Sequence, residues 1–167
     1  LERKDKCEKV IKWYLGKVLY RDIASVLKQR TEIRTYKYSG KSSKEELLRD
    51  RRTPAVSKML TNIALDKSRN DTILNILRDM YKDKDRNILV ISDRISQLQY
   101  FKKNLPEEKA GLFIGGSQDN SKQIILGTYS LVNEGFNVPR LNCIVFATPR
   151  SSVTQAIGRI YRQYHDI

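Results

Sequence analysis

Ile88-Leu89-Val90-Ile91-Ser92-Asp93-Arg94 opens with four aliphatic residues and ends abruptly in small and charged ones. A run this short, with no polar alternation, is what a strand buried on both faces requires, and such strands belong to parallel sheets. Three later runs share the form. Leu112-Phe113-Ile114 precedes Gly115-Gly116, Ile124-Ile125-Leu126 precedes Gly127-Thr128, and Cys143-Ile144-Val145-Phe146 precedes Ala147-Thr148-Pro149. Helical stretches lie between most of them. One runs through Leu98 and Phe101, and before the first strand Ile73, Ile76, Leu77 and Met80 recur at helical spacing, with a charged face supplied between Asp71 and Asp85. Ser92-Asp93 predicts a helix cap. The alternation gives an α/β class, a doubly wound parallel sheet flanked by helices. Ligands of such sheets gather at the carboxyl ends of the strands, where the unusual polar residues of this chain sit.

Upstream the texture differs. Residues 1–55 are basic, with an amphipathic helix pattern at Val10, Ile11, Trp13, Tyr14 and Leu15. Glu32 to Ser39 alternates Ile33 and Thr35 with charge, which predicts a half-exposed strand, and Ser39 to Pro54 reads as a loop with one helical turn. Residues 1–60 hold 17 basic and 8 acidic side chains, and the remaining 107 hold 15 and 11, within a net charge of +13. A surplus of that size suits a polyanion, because each neutralised phosphate releases counterions.

The 167 residues fit one domain, and a hydrophobic fraction of 40% argues against wholesale disorder. No apolar run approaches the ~20 residues that span a bilayer, so no membrane partner is expected. The charged start, Leu1-Glu2-Arg3-Lys4-Asp5, lacks an initiator Met and does not resemble a signal peptide, as expected of a piece of a longer protein. Cys7 and Cys143 stand alone and the one histidine is His165, which excludes the usual zinc spacings, so no metal ligands are expected. Two lone thiols suit an intracellular, reducing compartment.

Gly40-Lys41-Ser42 imitates the end of a phosphate-binding loop, but the glycine required five positions earlier is Thr35, and Tyr36-Lys37-Tyr38 are too bulky to wrap a phosphate. It reads as a basic surface turn. No acidic magnesium-binding cluster follows an apolar strand either, so these residues carry no pattern that would hold ATP with its metal on their own.

Gln155-Ala156-Ile157-Gly158-Arg159-Ile160-Tyr161-Arg162 places Gln155, Arg159 and Arg162 on one helical face, with Val153, Ile157, Tyr161 and Tyr164 on the other, toward the sheet. Gly158 is costly in a helix interior and suggests a close approach. Two guanidiniums on one face can fork a phosphoryl group. The plainer alternative is an amphipathic helix with solvated arginines.

This last segment resembles motif VI of superfamily-two helicases, Gln-x-x-Gly-Arg-x-x-Arg. The resemblance implies that Arg159 and Arg162 are fingers on a γ-phosphate and that Gln155 links nucleotide state to the domain interface. Ile125 to Ser130 with Glu134-Gly135-Phe136-Asn137-Val138-Pro139 resembles motif V, implying Thr128 on the nucleic-acid backbone and Gly135 and Asn137 beside ATP; Asn137 replaces the family's usual acid. Residues 88–94 resemble motif IV, with Ser92, Asp93 and Arg94 facing the bound strand, and Gly115-Gly116 resembles a small pair whose amides meet phosphate.

The resemblance covers most of the chain. Residues 1–20 resemble the end of a first motor domain and the crossing from it, and residues 21–167 a C-terminal RecA-like domain, the second motor domain of a helicase. Trp13 to Tyr20, Ser92-Asp93-Arg94 and Ala147-Thr148-Pro149-Arg150 together look closest to the UvsW/XPB-like branch, and within it to the transcript-release helicases of large DNA viruses. The implied cofactors are ATP and Mg2+, held mainly by the first domain. The implied partners are nucleic acid and that N-terminal RecA-like domain, and the implied location is host cytoplasm and virion. The rival expectations are a catalytically silent nucleic-acid-binding module of the same fold and a small nucleotide-binding regulator.

Overall fold

The structure, a computed structural model, describes residues 13–14, 32–40, 42, 44–48, 52–133, 136–151 and 153–158. Its contacts divide the chain into Leu1–Ile33 and Arg34–Ile167. In the first unit Trp13 and Tyr14, inside the expected amphipathic helix, are helical. The second unit holds the sheet.

The strands are β1 Ile88–Ser92, β2 Ala110–Ile114, β3 Ser117–Gln118, β4 Ile124–Thr128 and β5 Cys143–Phe146. The helices are α1 Val56–Leu65, α2 Lys67–Met80, α3 Ile95–Asn104, α4 Tyr129–Asn133 and α5 Thr154–Ile157. The sheet order is β3-β2-β4-β1-β5, with every pairing parallel except the β2–β3 hairpin. All five residues of β1 are buried, as expected for a strand with neighbours on both edges and helices on both faces.

Side chains sort across the sheet with the period of two that a pleat imposes. Ile88 and Val90 join Ile124, Leu126, Leu98, Phe101, Leu74 and Leu77 on one face. Leu89 and Ile91 join Ile125, Tyr129, Val132, Phe136 and Leu141 on the other. Helix α3 therefore packs on the first face and α4 on the second. The path from β1 through α3 to β2 moves one way along the sheet, and the path from β4 through α4 to β5 moves the other way. The reversal falls between β1 and β4, where Ser92 is in register with Thr128. That crevice is where open α/β sheets place their ligands.

Helix α2 follows the expected spacing, burying Asn70, Ile73, Leu74 and Leu77. Asp66 ends α1 and caps α2, accepting from the Arg69 amide at 3.1 Å. Asn70, which begins a glycosylation-like triplet, is buried and donates to the Ala64 carbonyl at 2.7 Å. At the amino edge of the sheet, Arg140 donates through Nη2 to the carbonyls of Asn120 and Lys122 at 2.7 Å each and through Nε to Asn87 Oδ1 at 3.1 Å. Among the described residues no helix is long and apolar enough to cross a membrane.

Two expectations change. Glu32 to Ser39 forms no strand: Ile33 and Tyr36 stay exposed, so the alternation has no buried face to define it. Ser92-Asp93 is not the helix cap. Ser92 belongs to β1, the N-cap position of α3 is Arg94, and its side chain makes no capping bond. Helix α1 carries Val56, Met59, Leu60, Ile63 and Ala64 at helical spacing, a stripe to which the sequence reading assigned no element, and it buries only Ala64 fully.

Candidate nucleic-acid and nucleotide edge

Thr128 ends β4 at the point of reversal. It is half-buried, and its hydroxyl lies 3.3 Å from that of Ser130. A small hydroxyl at this position can reach an incoming ligand without disturbing the core. Ser92, its partner in register, faces inward instead. It is fully buried, and its hydroxyl donates to Gln97 Oε1 at 2.6 Å and accepts from the Arg94 amide at 3.0 Å. Gln97 Nε2 donates onward to Asn70 Oδ1 at 2.8 Å. This buried chain of polar groups ties β1 to α3 and α2, and every member is bonded, as a buried network requires.

Arg94 leans away from the crevice toward α1. Its guanidinium donates to Thr61 Oγ1 at 3.1 Å, to the Ser57 carbonyl at 2.9 Å and to the Asp93 carbonyl at 3.2 Å. In this arrangement it fastens α1 to the end of β1. Gly115 and Gly116 form the exposed turn between β2 and β3, and a Cβ added at either would meet nothing within 4 Å. The fold itself thus has no steric need for glycine at these two positions. Asn137 is exposed between buried Phe136 and Val138, which present it outward.

Gln155 lies in α5, with Ala156 buried against the second face of the sheet and Ile157 half-buried. Ala156, which the sequence pattern assigned to neither face, is the residue of this helix that packs on the sheet. Gly158 is exposed in a turn directly after α5, so it does not occupy a helix interior. Gly135, Arg159 and Arg162 lie outside the described residues. Among the described residues no group of three or more His, Cys, Asp or Glu is placed to hold a metal ion.

Sequence reasoning gave no individual roles to Tyr129, Thr148 and Arg150, which gather around Asp93 at the same edge. Asp93 accepts from Arg150 Nη1 at 2.9 Å, and its amide donates to Thr148 Oγ1 at 2.9 Å. The Arg150 guanidinium lies 4.9 Å from the centre of the Tyr129 ring, whose hydroxyl donates to the Thr148 carbonyl at 2.9 Å. Burial, and then the Asp93 charge, push the Tyr129 phenol up to about 12. The cluster joins the ends of β1 and β5 to the start of α4, just before α5 begins. Its only signal in the sequence is a polar Thr-Pro-Arg directly after an apolar run.

The fold and this edge define the class: an α/β domain with a five-stranded, mostly parallel sheet, helices on both faces, and polar groups gathered at the carboxyl ends of its strands. No family model matches the chain. It is 32% identical over 177 residues to a protein of Acanthamoeba polyphaga mimivirus named "Putative ATP-dependent RNA helicase", covering 96% of this chain and 34% of that protein. The chain thus spans about a third of the length of the curated relative it matches. A crystal structure of the Pyrococcus furiosus Hef helicase domain aligns with a TM-score of 0.44 and 20% identity, over 64% of this chain and 26% of that one. By sequence, the chain is similar to part of a protein that bears a helicase name.

Proposed function

We propose that the chain is the second RecA-like motor domain of an ATP-dependent superfamily-two helicase or translocase of the UvsW/XPB-like branch, acting in viral transcription or DNA processing. The carrying observation is Thr128 at the point of reversal of a doubly wound sheet, on the same edge from which the chain leads into Gln155, Arg159 and Arg162. The relative's name supports the reading.

On this reading Arg159 and Arg162 reach across the interdomain cleft to the γ-phosphate, and Gln155 reports that contact to the interface. Asn137, held outward by its buried neighbours, is the described group that fits beside the nucleotide, with Gly135 next to it in the sequence. ATP with Mg2+, held chiefly by the first motor domain, supplies the free energy of hydrolysis. Thr128 and the amides of Gly115 and Gly116 hold the sugar-phosphate backbone. Ser92 contributes from beneath by fixing the turn to α3, and Arg94 reaches the strand only on leaving Ser57 and Thr61. Repeated closure and opening move the domain along one strand with little sequence preference.

The purified 167-residue chain is expected to bind single-stranded nucleic acid while turning over no ATP, because it lacks a phosphate-binding loop. Affinity should fall as roughly the −0.7 power of salt for each phosphate neutralised. Fluorescence anisotropy across a salt series, beside a phosphate-release assay, tests both. Salt-independent binding, or turnover that Arg159→Ala abolishes, would sink the reading.

A further inference from the structure

A hollow of about 390 Å3 opens beside the end of β5, and none of the roles above uses it. Phe146, Thr148 and Pro149 line it from the sheet, Tyr36 and Tyr38 from the segment before α1, and Arg69 from the first turn of α2. Its size falls within the roughly 300–1,000 Å3 of small-ligand clefts.

Two of its groups are left without an internal use. Tyr36 is 62% exposed, an aromatic ring open to stacking. The segment that carries it is nevertheless fastened, because Tyr38 donates to both carboxylate oxygens of Asp66 at 3.0 and 3.1 Å and the Ser42 hydroxyl donates to the same carboxylate. Arg69 Nη1 is buried with no hydrogen-bond partner, the one such side-chain atom among the described residues. Burial pushes this guanidinium below the usual arginine range, against the pull of the Asp66 charge. An unpaired buried donor is destabilising until something accepts from it.

The lining selects the ligand. A bare phosphate would meet the apolar faces of Ile63, Phe146 and Pro149 and the nearby Asp66 carboxylate, which repels it. A flat molecule with an apolar face and acceptors on its edge suits the same walls. A nucleobase has both, since its face stacks on an aromatic ring and its edge offers carbonyl oxygens or ring nitrogens to a guanidinium.

We propose that this hollow takes one unstacked base of a bound single strand, stacked on Tyr36 with the Arg69 guanidinium donating to the base edge. The proposal rests on the nucleic-acid role above and extends it from backbone to base. A hollow at the carboxyl edge, lined by Thr148 one bond from Asp93, adjoins the turn from β1 to α3. A strand held there can turn one base inward without leaving the edge.

The test compares a fluorescein-labelled oligouridylate with the same oligomer lacking its bases, by anisotropy on the 167-residue chain. Wild type is expected to bind the base-bearing strand about tenfold more tightly, a typical worth for one stacked base. Tyr36→Ala and Arg69→Lys should remove that preference while leaving affinity for the abasic strand unchanged, and Tyr36→Phe should keep it. Uridine monophosphate should compete only weakly. Equal binding of the two strands by wild type, or a preference that survives Tyr36→Ala, would overturn the base hollow while leaving backbone binding intact. Displacement by uridine monophosphate at concentrations below those of the oligomer would overturn the strand assignment in favour of a free nucleotide. Binding of neither strand would overturn the nucleic-acid role itself and the hollow with it.

Discussion

Single residues in this domain are held by small sets of directed bonds, and Asp66 is the clearest case. Its carboxylate accepts from the Ser42 hydroxyl, the Arg69 amide and the Tyr38 hydroxyl, and these bonds hold its pKa below the ordinary value of 3.8, with Ser42 contributing most. A depressed folded pKa stabilises the fold above the ordinary value, and that stability is lost as pH falls through the depressed one. Asp66→Asn keeps a capping carbonyl but cannot titrate. Urea unfolding followed by circular dichroism from neutral pH to roughly pH 2 should show a shallower acid limb for Asp66→Asn than for wild type. Asp66→Ala should cost about 1 kcal/mol at neutral pH through loss of the cap. Identical acid limbs would mean that the clasp is absent in solution. None of this was legible from the residues alone, because Tyr38 and Asp66 stand 28 positions apart and an aspartate before a helix is ordinary. The Arg150–Asp93 pair spans 57 positions and was hidden for the same reason. Thr128 was legible because its place after an apolar run fixes where it must emerge.

Elements were read best where burial dictates residue type. The run at 88–91 coincides with β1 almost residue for residue, since a strand covered on both faces admits few polar side chains. The run at 143–146 coincides with β5, although that strand is only half-buried at the end of the sheet. β4 extends past its apolar run through Gly127 and Thr128, because parallel pairing to Phe113 and Ser92 continues whatever the side chain. β3 left no trace in the pattern: two exposed residues are a strand only through their pairing with β2. Glu32 to Ser39 shows the converse, an alternation with nothing packed against it. The order of the strands is held at the amino edge by Arg140, whose three bonds join the loop before β5 to the loops before β4 and β1. Arg140→Ala leaves those acceptors without that donor and should lower stability by about 1–3 kcal/mol, read as a fall in the urea midpoint with an unchanged slope. An unchanged midpoint would show that the amino edge does not depend on this residue.

Across the whole molecule, charge and topology point the same way. The net charge of +13 favours a polyanion, and the doubly wound sheet offers a crevice between β1 and β4 for one. The proposed motor role rests most heavily on Arg159 and Arg162, which composition cannot distinguish from the other basic residues. The direct measurement is nucleic-acid-stimulated ATP turnover at saturating ATP, in the protein that joins this domain to its ATP-holding partner. Arg159→Lys and Arg162→Lys keep the charge but lose the planar fork, so each should bind nucleic acid normally while turnover falls by a factor of ~10³ or more. The double variant should be much less than multiplicatively worse, because both act on one phosphoryl group. Near-normal turnover in both single variants would contradict the motor assignment and leave the two arginines as a solvated helix face.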